Sequence, residues 1–125
     1  PTQCRSFGLP PVLAPVADKN IVDGERTLVG DLEVGFLHTP GHSPGHSCFR
    51  ISSPRRDAIF TGDLLFAGSI GRIDLWGGDR TDMYESLSRI RELDEKLTVY
   101  SGHGPATTIG NELRSNPYLT GAFRL

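Results

Sequence analysis

Two cysteines, Cys4 and Cys48, are all the thiol chemistry that these 125 residues hold. They stand far apart and follow no repeated spacing, which argues against a disulfide framework and points to a reducing, cytoplasmic compartment. Long apolar runs are missing as well: none approaches the roughly 20 residues that cross a bilayer, and no charged-then-apolar leader opens the chain, so no membrane partner is expected. An excess of one charge is also missing. Thirteen basic against 15 acidic residues leave a net charge of -2, so polyphosphate meets no general attraction and a nucleic-acid partner is not expected. Internal repeats, low-complexity tracts and a convincing interdomain linker are absent.

What remains is globular in character. Hydrophobic residues make up 37% and charged residues 22%, a balance that argues against disorder. The length suits one domain, residues 1–125, able to bury roughly two-thirds of its unfolded surface. Residues 1–20 contain Pro10, Pro11 and Pro15 and read as an extended connector, because proline lacks the amide donor that a helix interior or central strand requires. Asp23-Gly24 and Gly30-Asp31 mark turns between short strands. Leu32, Val34 and Phe36 alternate with polar or small residues, the pattern of a half-buried strand over 32–38. Further short strands are predicted over 48–51, 57–61 and 97–100. Met83, Leu87, Ile90 and Leu93 recur at helical spacing, predicting a helix that Thr81 or Asp82 caps. A last helix fits Thr108 to Arg114, stopping before Asn116-Pro117. Strands alternating with helices indicate an α/β class.

Chemistry concentrates at strand ends. His38, His42 and His46 lie in His38-Thr-Pro-Gly-His42-Ser-Pro-Gly-His46, where proline and glycine forbid a regular helix and shape a loop. Such a loop can present imidazole nitrogens to a metal at little ordering cost, or its histidines can serve as backbone hydrogen-bonding groups. Asp63 follows an apolar strand and precedes Leu64, Leu65 and Phe66, where a carboxylate is costly unless paired, hydrogen-bonded or metal-bound. A turn or helix-cap aspartate is the competing reading. His103 sits in a Gly-His-Gly-Pro turn after the strand at 97–100. Open α/β sheets hold ligands at strand ends, so His42, Asp63 and His103 can converge.

In their order and separations, these segments, with Phe60-Thr-Gly-Asp63, Gly68-Ser-Ile-Gly-Arg72-Ile-Asp74 and Ser101-Gly-His103-Gly-Pro105, resemble the metallo-β-lactamase superfamily and, within it, glyoxalase II-like hydrolases. The resemblance runs from about residue 20 to Asn116-Pro117-Tyr118-Leu119. It implies that His42 binds a first metal, that Asp63 bridges two metals as the catalytic carboxylate, and that His103 binds the second. His38 and His46 fall at flanking positions and are read as supporting groups. Arg72 and Asp74 lie in a loop bordering the site, where a substrate contact and a structural ion pair are both open, and Trp76 reads as a loop anchor. The implied cofactor is zinc, two ions per full-length site, with iron or manganese as alternatives. The implied activity is hydrolysis of a small-molecule thioester such as S-2-hydroxyacylglutathione.

The family's His-x-His-x-Asp-His cluster does not occur here. With Pro1 in place of Met, its absence leads to the expectation of a carboxy-terminal half: one layer of an αβ/βα sandwich, a mixed β-sheet with flanking helices. Such a half is expected to be inactive alone and to expose an apolar face that invites self-association. Two other readings stay open. One is a persulfide dioxygenase-like enzyme that uses a single iron and consumes oxygen; the other is a non-catalytic binding module that keeps the half-fold without the metal centre.

Overall fold

The computed structural model describes residues 2–125, with side chains from residue 4 onward. In chain order the elements are α1 (Thr2–Ser6), β1 (Arg26–Val29), β2 (Leu32–His38), β3 (Ser47–Ser53), β4 (Arg56–Gly62), β5 (Leu65–Phe66), β6 (Ser69–Ile70), α2 (Arg80–Arg91), β7 (Thr98–Ser101), β8 (Thr107–Thr108), α3 (Ile109–Ser115) and α4 (Pro117–Thr120). Six strands form one mixed sheet in the order β1-β2-β3-β4-β7-β8, and β5 and β6 form a separate small hairpin. Neighbours run antiparallel except β4 and β7, which are parallel. A parallel pair needs a long crossover, and α2 lies within it.

Side-chain alternation gives the sheet two unlike faces. One face carries Leu37, Cys48, Ile59 and Val99, and joins Met83, Leu87 and Ile90 of α2, Ile109 and Leu119 in a single apolar cluster. Burying each large aliphatic side chain there contributes about 1.5–3 kcal/mol. The opposite face carries a registered aromatic row, Phe36–Phe49–Phe60–Tyr100, across four strands. Phe36 meets Phe49 edge-on at 5.6 Å, and Phe60 stacks on Tyr100 at 5.4 Å. Three of these rings remain open to solvent: Phe49, Phe60 and Tyr100 are 39%, 42% and 44% exposed. The helices cover one face of the sheet and leave the other bare, the mixed sheet with flanking helices expected from the sequence.

The predicted strands and main helix are present, with differences at their edges. The segment 1–20 is not extended throughout: Thr2–Ser6 forms a helical turn, residue 1 lies outside the described residues, and residues 7–20 lack helix and strand. The cap of α2 is Asp79, not Thr81 or Asp82; its carboxylate accepts from the Asp82 amide at 2.9 Å. Apolar spacing begins at Met83 and therefore underestimates how early the helix starts. Leu93 lies just past the helix yet still packs on the core. Asn116-Pro117 does end α3, but it also opens α4, with Asn116 as cap and Pro117 in the first helical position, where its missing amide costs nothing. Cys48 is fully buried, with its sulfur 3.3 Å from the Thr39 hydroxyl, and burial pushes its thiol up to about 11.

Candidate metal centre

Because β2 and β4 are both antiparallel to β3, and β7 is parallel to β4, the strands β2, β4 and β7 all point the same way. The loops that follow them share one edge of the sheet, and these loops carry His42, Asp63 and His103. The strand-end convergence expected from the sequence is therefore a direct product of strand direction.

The three side chains meet around one carboxylate. His42 Nε2 lies 3.5 Å from Asp63 Oδ2, and His103 Nε2 lies 3.4 Å from Asp63 Oδ1. Each imidazole thus faces a different oxygen of the same group. His42 Nδ1 sits 2.8 Å from the Arg72 carbonyl oxygen. A carbonyl can only accept, so Nδ1 carries the hydrogen, and in the neutral ring Nε2 turns a bare lone pair toward the carboxylate. Two lone pairs facing one another at this separation call for a proton or a cation beside them. Metal–nitrogen and metal–oxygen bonds of roughly 2.0–2.2 Å at a tetrahedral angle hold two ligand atoms about 3.3–3.5 Å apart. Both His–Asp separations match that span and exceed a normal hydrogen bond. The donor set fits a metal on either side of Asp63. Among the described residues no three His, Cys, Asp or Glu side chains gather into one compact cluster; the donors come as two pairs sharing one carboxylate.

The two sides of Asp63 differ in their support. The His42 side chain is 22% exposed and anchored through Nδ1, whereas that of His103 is 74% exposed and meets the edge of Phe66 at 5.6 Å. A shallow cavity of about 250 Å³ opens between them, walled by Phe66 and Ile70.

His46 and His38 are committed to the protein. His46 Nδ1 is 3.0 Å from the Thr39 carbonyl, and its Nε2 accepts from the Asp63 amide at 3.2 Å. Burial holds its pKa below the ordinary value. A neutral ring with both nitrogens engaged is a support for the Asp63 backbone. His38 Nε2 binds the Pro44 carbonyl at 2.8 Å, closing the histidine loop on itself. Arg72 and Asp74 form a bidentate, solvent-exposed ion pair at 2.7 and 2.8 Å, which holds the Asp74 carboxyl down at about 2. Trp76 is 78% exposed and so anchors nothing by burial.

Sequence reasoning passed over three contributors. The Arg72 backbone carbonyl orients His42, an interaction no side-chain motif announces. Gly102 admits the Asp63 carboxylate: a Cβ there would lie 2.4 Å from Oδ1. Gly71 admits the Asp63 carbonyl, which a Cβ would meet at 1.8 Å. The glycines of Ile70-Gly-Arg72 and Ser101-Gly-His103 were the available signal, since a glycine beside a reactive side chain marks close approach.

The chain matches the metallo-beta-lactamase superfamily over residues 3–103. It is 40% identical over 121 residues to the hydroxyacylglutathione hydrolase GloC of Haemophilus influenzae, an alignment covering 95% of this chain and 56% of that protein. Among solved structures it resembles the BLEG-1 B3 metallo-beta-lactamase, with a TM-score of 0.82, 41% identity, and coverage of 96% of this chain and 57% of that one. It also resembles TTHA1623 in a di-iron-bound form, with a TM-score of 0.77, 40% identity, and coverage of 94% and 57%. The chain spans about half the length of the curated relatives it matches. From the shared sheet, the matched residues and these identities, the chain belongs to the metallo-β-lactamase superfamily.

Proposed function

We propose that this chain carries part of the metal centre of a hydrolase whose whole form cleaves a small-molecule thioester such as S-2-hydroxyacylglutathione. The reading rests on one observation: two imidazole nitrogens stand 3.5 and 3.4 Å from opposite oxygens of Asp63. His42 and His103 would each hold one metal, and Asp63 would be the carboxylate shared between them. Zinc is the proposed metal, two ions per complete site. Iron and manganese are the alternatives, and the di-iron form of a similar structure supports keeping iron among them. When bound, the metal supplies Lewis acidity, polarising a carbonyl and making water a nucleophile near neutral pH.

The chain's own residues prepare that chemistry. The Arg72 carbonyl fixes the tautomer of His42. His46 holds the Asp63 backbone in place. Phe66 and Ile70 offer an apolar wall to an acyl group. Catalytic zinc usually takes three protein ligands, and each pair here offers two, so the 125-residue polypeptide alone is expected to bind metal weakly and turn over negligibly. In the same reading the bare aromatic face of the sheet associates with a second copy in the isolated polypeptide. The proposed compartment is the cytoplasm, where the free thiols Cys4 and Cys48 stay reduced.

Zinc content and thioester turnover of the purified polypeptide test this directly. His42→Ala and Asp63→Ala should each lower bound zinc. Unchanged zinc in both variants would refute the ligand assignment, and robust turnover by the unaltered polypeptide would refute its incompleteness.

A further inference from the structure

Glu112 is a buried carboxylate that neither the sequence motifs nor the metal centre uses. It is 3% exposed, and no cation pairs with it among the described residues. Its partners are three neutral donors. Oε1 accepts from the Thr107 hydroxyl at 2.7 Å; Oε2 accepts from the Gly68 amide at 2.8 Å and the Asn116 side-chain amide at 2.9 Å. Asn116, itself fully buried, also donates to the Ser69 carbonyl at 3.0 Å.

These bonds join two walls of one site. Gly68 and Ser69 belong to the β5–β6 hairpin, whose Phe66 meets the His103 ring edge-on. Thr107 pairs with Val99, closing the turn that carries His103. One side chain therefore ties the hairpin that carries Phe66 to the strand residue that closes the His103 turn. Burying a carboxylate is expensive, and hydrogen bonds to a charged acceptor are shorter and stronger than neutral ones. His42 has a different anchor, the Arg72 carbonyl. We propose that Glu112 is a positioning residue for His103, clamping its turn to the β5–β6 hairpin and so governing metal affinity on the His103 side of Asp63 more than on the His42 side. This rests on the metal-centre reading above.

Zinc titration of the 125-residue polypeptide, followed by NMR of the histidine ring signals, reads each side separately. In the unaltered chain both His42 and His103 signals should respond. Glu112→Ala should raise the His103 midpoint roughly tenfold while His42 stays within about twofold, the range seen when outer-shell partners are lost. Glu112→Gln keeps an oxygen for Gly68 and Asn116 and should bring His103 back to within about threefold. Equal shifts at both rings in Glu112→Ala, or no shift at either, would overturn the clamp while leaving the metal reading intact. An unaltered chain whose rings ignore zinc would bring down both. Should Glu112→Ala fail to fold, Thr107→Val removes only the Oε1 bond. It should weaken His103 about threefold, and an unchanged His103 midpoint there would equally overturn the proposal.

Discussion

The two faces of the sheet are made by the same strands and obey opposite rules. On the helix-covered face Ile59 and Val99 are fully buried beneath α2; one residue along the same strands, Phe60 and Tyr100 stand 42% and 44% exposed. Alternation put equally apolar side chains on both sides, but only one side has a cover within these residues. Local pattern specifies a layer, while a layer's stability depends on what lies over it.

Core truncation sharpens the contrast most. Ile59→Ala should cost about 2–5 kcal/mol in chemical denaturation, because the fully packed site leaves a cavity. Phe60→Ala, although it removes more atoms, should cost under about 1 kcal/mol, since much of its ring already meets water. Equal costs at the two positions would show instead that the aromatic face is covered in solution. The next effect concerns association. Sedimentation velocity should show the average mass rising with concentration, and Phe49→Asp with Phe60→Asp should abolish that rise; a purely monomeric unaltered chain would count against pairing through this face.

A smaller effect comes from acid. Arg50 lowers the pKa of Asp57 by hydrogen bonding, and Arg89, again by hydrogen bonding, does the same for Asp23. A depressed folded-state pKa means stabilisation that is present above the ordinary value of 3.8 and fades as pH falls through the lowered one. The urea midpoint should therefore decline below about pH 4, more shallowly in Asp57→Asn. That decline comes on top of an earlier loss as pH falls through 6.5, where the half-buried His46, with its lowered pKa, resists protonation in the fold. Both carboxylates are largely exposed, so solvent screening keeps this contribution small. An identical decline in Asp57→Asn would remove Asp57 from the account.

Much of this was legible in the sequence. Alternation at Leu32, Val34 and Phe36 wrote β2, and the spacing of Met83, Leu87 and Ile90 wrote the buried stripe of α2. Glycine and proline around His42, Asp63 and His103 announced shaped turns beyond strands, and strand direction then gathered those turns at one edge. What stayed hidden was either too short to have a period or carried by the backbone. β5, β6 and β8 are two residues each. Asn116-Pro117 looked only like a stop, because a single proline marks the end of one helix and the start of another with equal force. Arg72 and Asp74 pair with each other in the open, and it is the carbonyl of Arg72, shared in kind with every other residue, that reaches His42.

The sealed thiol of Cys48 turns the molecule into its own stopwatch. With burial pushing ionisation up to about 11, an alkylating reagent at neutral pH finds almost no thiolate there. Cys4, outside the core, is accessible in the intact fold. A second alkylation event can occur only when β3 is prised from its neighbours, so its rate counts openings of the central sheet without any added probe.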